Sequence, residues 1–148
     1  MDLDRWIADG SIKAHRPTRP EIQRLLAVVD RDLKDAAVGG LSIDRRFATA
    51  YAAALQLATI ALRASGYRAS SSIGGHHWRT ISLLPELMGA RQRPRKLYLD
   101  SCRRARNEAD YDRIDVVSEA ELAELLDDTL DFRNDVIVWL SKHHPELS

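Results

Sequence analysis

Arg103, Arg106 and Asp110 stand three and four residues apart, the spacing that places side chains on one face of an α-helix. A guanidinium offers a planar fork of donors that fits two phosphate oxygens, so two arginines on one face suit a phosphate-bearing ligand. Asp110, four residues after Arg106, can orient that fork through an ion pair within the helix. Residues 91–106 carry Arg91, Arg93, Arg95, Lys96, Arg103, Arg104 and Arg106 against one acid, Asp100. The span 115–135 has the opposite bias: Asp115, Glu119, Glu121, Glu124, Asp127, Asp128, Asp131 and Asp135 face only Arg133. Two readings stay open. Either the last two helices pack antiparallel and their charges pair weakly at the rim, or the basic helix is turned toward the phosphates of a nucleic acid or nucleotide.

The other chemically capable residues are weaker candidates. His76-His77 and His143-His144 are adjacent pairs, and neighbours on a helix diverge, unlike the four-residue spacing with which two imidazoles share a zinc. No metal site and no cofactor are expected. His77 is instead a candidate to bring an imidazole to the Arg106 face from another helix. Cys102 lies on an apolar stripe and reads as a small core residue, and Trp78, Trp139 and Tyr98 sit at core spacing. No glycine-rich loop of the kind that cradles nucleoside triphosphates occurs, so an ATPase is unsupported.

The elements that must hold these residues are helices. Thr18 and Glu21 have capping-box spacing, and Ile22, Leu25, Leu26, Val29, Leu33 and Ala36 follow at helical period, predicting a helix over about residues 19–38 that ends at Gly39-Gly40. Ser42 opens a second, in which Phe47, Ala50, Tyr51, Ala54, Leu57, Ala58 and Ala61 form a wide, alanine-rich stripe closed at Gly66. Small residues let neighbouring helices approach closely, so this helix belongs at the centre of a bundle. Residues 67–75 have no period and read as a loop. A shorter helix follows from His77 to Met88, interrupted by Pro85, which lacks a backbone donor. Pro94 opens another, and Ser118 with Glu121 caps a last one through Leu122, Leu125, Phe132, Val136 and Trp139, with Thr129 filling the missing step. No strand-like alternation competes. The expected fold is all-α, an antiparallel up-and-down bundle of about five helices over residues 18–148, with residues 1–17 as an arm or short helix.

Composition narrows the function. With 22 basic and 22 acidic residues the net charge is 22 − 22 = 0, so any attraction for polyanions has to be local. One cysteine permits no internal disulfide, and the lack of a basic-then-apolar leader argues for the cytoplasm. The apolar run from Phe47 to Leu62 falls short of the roughly 20 residues that cross a bilayer, so no membrane association is expected.

The run Arg106-Asn107-Glu108-Ala109-Asp110-Tyr111, late in a helix before the closing one, resembles the signature of the HEPN domain family. Tyr51-Ala52-Ala53 resembles that family's alanine-rich central helix, His76-His77 its histidine-led third segment, and Ser118 to Leu140 its closing helix. The likeness spans about residues 42–141. It implies a homodimeric bundle that binds RNA or a nucleotide, paired with a minimal nucleotidyltransferase in a toxin-antitoxin or defence system. Arg103, Arg106, Asn107, Arg95, Lys96 and His77 are then the binding residues. Many relatives are metal-independent endoribonucleases that use an arginine followed four to six residues later by a histidine. Here Tyr111 stands in that place, so an active enzyme would depend on Arg106 with Asp110, Tyr111 or His77. Because an unperturbed tyrosine has a pKa of ~10, Tyr111 suits proton donation better than acceptance.

Overall fold

The computed structural model describes residues 1–111 and 117–148, the side chains of residues 108–111 excepted. It is an all-α helical bundle with a small β-ribbon at one side. The chain runs through α1 (Asp2–Ala8), β1 (Ile12–Ala14), α2 (Arg19–Ala36), α3 (Ile43–Ala64), β2 (Tyr67–Ala69), α4 (His76–Ser82), α5 (Leu84–Met88), α6 (Arg93–Tyr111) and α7 (Glu119–His143). Short 3₁₀ turns occupy Ala90–Gln92 and Pro145–Leu147.

α2, α3 and α7 each start where the sequence offers an oxygen to an orphan backbone N–H. Thr18 Oγ1 accepts from Glu21 N at 3.3 Å, Ser42 Oγ from Arg45 N at 3.1 Å, and Ser118 Oγ from Glu121 N at 3.1 Å. Only at Ser118 is the capping box complete, with Glu121 Oε1 accepting the Ser118 N–H at 3.2 Å. At the start of α2 the box is half made, because Glu21 turns away from the cap. Its carboxylate accepts from His15 Nε2 at 2.8 Å and from Arg63 Nη1 at 2.8 Å. Burial by itself would raise the Glu21 pKa, but the hydrogen bonds from His15 and Arg63 outweigh it and hold the carboxyl below its ordinary range. The start of α2 is thereby tied to the end of α3, while Arg46 Nε donates to Ala36 O at 2.8 Å at the opposite end, which makes the two helices antiparallel.

α3 is the axis of the bundle, packed against α2, α4, α5, α6 and α7. Ala50, Ala53, Ala54, Ala58 and Ala61 are fully buried on it beside Leu57 and Ile60, so the alanine stripe does bring the surrounding helices close. Although α3 is long and apolar enough by composition to cross a bilayer, most of it is covered by the other helices. From α7 come Leu122, Leu125, Phe132, Val136 and Leu140, and Thr129 in their midst meets its polar requirement by donating to Leu125 O at 2.7 Å.

Two expectations need correcting. β1 and β2 pair antiparallel, Ile12 opposite Ala69 and Ala14 opposite Tyr67, so part of the span expected to be loop is strand. Three-residue strands are too short to show alternation. They attach the leading segment to the bundle: Trp6, Ile12, Leu62 and Leu83 form a second buried cluster beside the main core. Trp78, expected to pack inside, is 41% exposed. α4 is only seven residues long, too short for helical spacing to fix which side faces the core.

Candidate phosphate-binding cleft

α6 carries Arg103, Arg106 and Asn107 along one side, and α4 sets His76, His77 and Trp78 opposite them, with Gly75 at its start and Tyr51 of α3 between. Together these residues line a cleft of about 180 Å³. α3 positions both walls, since α4 and α6 each pack on it and on each other. Gly75 enters α4 at φ +83°, a left-handed conformation that a side chain would strain, and a Cβ there would come 3.3 Å from Arg79 Nη1. Arg79 in turn donates to Gly74 O, closing the turn that leads the histidines to the cleft.

Arg103 is held without being neutralised. Arg103 Nε donates to Asp100 Oδ1 at 3.1 Å, and Arg104 reaches the same carboxylate at 3.6 Å, an arrangement that restrains Arg103 while leaving net positive charge on this face. Arg106, half-buried, has Nη1 3.5 Å from Asn107 Oδ1. The expected Arg106–Asp110 pair, and the proton roles of Asp110 and Tyr111, fall on side chains outside the described residues. Partial burial, the adjacent His76 and the Arg106 charge, in that order, lower the His77 pKa. His77 is therefore mainly neutral at pH 7 and free to accept a proton. The His76 and His77 rings stand edge to face, 4.2 Å between centroids.

Tyr51 was legible only as a residue of the central stripe. It is 4% exposed, and its hydroxyl is enclosed with no hydrogen-bond partner among the described residues. Burial pushes its pKa up to about 12, against the pull of Arg103 and Arg106, so the hydroxyl keeps its proton as a donor. A buried hydroxyl without a partner is unfavourable by roughly 1–3 kcal/mol, a cost that a ligand acceptor would relieve.

Arg95 and Lys96, expected beside Arg103 and Arg106, lie elsewhere. Lys96 is half-buried near the start of α6 and does not line the cleft. Arg95 is drawn into α7: its guanidinium lies 2.8 Å from Asp131, 2.8 Å from Asp135 and 3.5 Å from Asp128, and stacks 4.8 Å from the centre of the Phe132 ring. Asp135 also accepts from Gln92 at 3.2 Å, and Arg95 and Gln92 together lower its pKa against the effect of burial. Asp128, farther from the guanidinium, is raised by burial. Charge pairing with α7 is thus made by Arg95, while Arg103 and Arg106 line the cleft. A broader groove of about 950 Å³ runs past Arg95, but Glu124, Asp127, Asp128, Asp131 and Asp135 line it and oppose a phosphate.

No family model, curated protein or solved structure matches this chain. The function has to be argued from the cleft. Cys102 is buried and its thiol is pushed up to about 11 by that burial, which removes it as a nucleophile at neutral pH. Among the described residues no group of three or more histidine, cysteine, aspartate or glutamate side chains is placed to hold a metal ion. What the cleft offers is cationic donors, a neutral imidazole and a protonated phenol, a set suited to a phosphate group.

Proposed function

We propose that the protein binds RNA or a nucleotide through this cleft, with Arg103 and Arg106 on the phosphate and His77 and Asn107 beside it. The observation that carries the reading is the meeting of α6 arginines and α4 histidines on one cleft, two segments about 30 residues apart in sequence that both fall within the HEPN resemblance. The same resemblance motivates the homodimer and the partner nucleotidyltransferase of a toxin-antitoxin or defence module as parts of this proposal. Fluorescence anisotropy with a labelled single-stranded RNA, in the presence of a chelator, tests it. Arg106→Ala should weaken binding while leaving the helical circular dichroism spectrum intact. Undiminished binding would dismiss the cleft as the site. Size exclusion and copurification with the product of the adjacent gene test the dimer and the partner.

The position of His77 favours a second reading, metal-independent RNA cleavage. A neutral imidazole could take the proton of a ribose 2′-hydroxyl as its oxygen bonds to phosphorus and the bond to the 5′-oxygen breaks, leaving a 2′,3′-cyclic phosphate and a 5′-hydroxyl once the departing oxygen is protonated. Arg106 would steady the charge on phosphorus. Cleavage in chelator that disappears in both Arg106→Ala and His77→Gln would establish the enzyme; binding of intact RNA would establish the binding protein.

A further inference from the structure

We propose that the cleft reads an unpaired nucleotide of single-stranded RNA rather than a bare anion, with the base stacked on Trp78 and the phosphate hydrogen-bonded by the Tyr51 hydroxyl between Arg103 and Arg106. This inference rests on the phosphate-binding reading and adds its two unassigned residues. Trp78 is 41% exposed and stands on the wall of the cationic cleft. Its ring is held edge to face by buried Trp6, with centroids 5.4 Å apart and an angle of 61°. An edge contact fixes the indole while leaving ring surface to solvent, and every base has a π-face that can lie on it. Exposed tryptophans occur singly on many surfaces. This one adjoins a second feature that points to a ligand, the Tyr51 hydroxyl, enclosed to 4% exposure of its residue and without a partner among the described residues.

Size favours this division of the ligand. At about 180 Å³ the cleft is smaller than the roughly 300 Å³ at which small-molecule pockets begin, so phosphate and ribose fit inside and the base lies out along Trp78. A duplex keeps its bases stacked inside, which selects a single strand.

The test compares the intact protein with Trp78→Leu, Trp78→Phe, Tyr51→Phe and Arg106→Ala, using a short single-stranded RNA and base-free linear polyphosphate as probes, with adenosine monophosphate as competitor. Leucine keeps apolar packing against Trp6 but has no aromatic face. Trp78→Leu should weaken RNA binding about tenfold, with Trp78→Phe close to the intact protein and polyphosphate affinity unchanged. Tyr51→Phe should weaken both probes. Undiminished RNA binding by Trp78→Leu, or an equal loss for both probes, would overturn the stacking role, and unchanged binding by Tyr51→Phe would overturn the hydroxyl's. Adenosine monophosphate competing less well against Trp78→Leu supports base stacking, while equal competition against both proteins contradicts it. The underlying phosphate reading fails separately, if the intact protein binds neither probe or Arg106→Ala binds both undiminished.

Discussion

At the scale of single residues, two arginines eleven positions apart on α6 have different surroundings, carboxylates of α7 for Arg95 and the cleft for Arg106. Arg95 is enclosed among Asp128, Asp131 and Asp135, and removing it leaves at least two partly buried carboxylates without their cation. Arg95→Ala should therefore destabilise the fold by about 2–4 kcal/mol in urea unfolding, with RNA affinity per folded molecule unchanged. Arg106→Ala should do the reverse. His77 adds a pH signature. Its pKa is lowered in the free protein, by partial burial first and then by His76 and Arg106, so protonation is disfavoured until an anion arrives. A phosphate beside it raises that pKa, and binding then takes up a proton. Affinity for RNA should rise as pH falls from about 7.5 to 5.5, around the ordinary histidine pKa of ~6.5. The RNA diester keeps its charge over this range, and Tyr51 titrates only near 12. His77→Gln should flatten the slope.

At the scale of elements, sequence period is informative where a helix is long and its stripe one-sided. α2, α3 and α7 were legible almost to their ends, because caps at Thr18, Ser42 and Ser118 and the stripes behind them state where packing must occur. What was illegible concerns short elements and pairings between distant residues. Local spacing at Trp78 could not tell a wall of a cleft from a core, and nothing in residues 11–16 or 67–70 announces a ribbon whose strands find each other across the bundle. The cleft was half legible: Arg103 and Arg106 declare a face, whereas the enclosed Tyr51 hydroxyl is visible only once α3, α4 and α6 are packed. Glu21 shows the same limit. Capping-box spacing directs its side chain to Thr18, yet hydrogen-bonding partners supplied by other segments, His15 and Arg63, hold it instead. Glu21→Gln should cost about 2 kcal/mol at pH 7 by weakening these charged hydrogen bonds. Because the Glu21 pKa is depressed, that stability is fully present above the ordinary value near 4.5 and is lost as pH falls through the folded value. The stabilities of the two proteins should converge as pH falls below the ordinary carboxyl range; a constant gap would assign Glu21 a role independent of its charge.

At the scale of the molecule, the leading segment joins stability to the cleft. α1 and β1 bury Trp6 and Ile12 against Leu62 of α3 and Leu83, which lies between α4 and α5, so the second cluster spans the arm, the axis and the cleft wall. Leu3 N–H also donates to Glu86 Oε1 at 3.3 Å, adding a polar tie to α5. Trp6 is the hinge of this arrangement, because the same ring fills the cluster and braces Trp78. Trp6→Ala should cost about 3–5 kcal/mol, the range for deleting a large buried aromatic side chain. In a chain of 148 residues that corresponds to a fall in Tm of about 6–20 °C. If the arm folds as one body with the bundle, calorimetry should show a single transition moved down by that amount. Loss of a separate low-temperature shoulder, with the main transition unmoved, would mean that the arm folds as an appendage. RNA affinity discriminates further: with Trp78 unbraced, Trp6→Ala should weaken RNA binding at temperatures well below its Tm and leave polyphosphate binding intact. This is the pattern expected when the arm acts on the base-stacking wall and not on the arginines of α6.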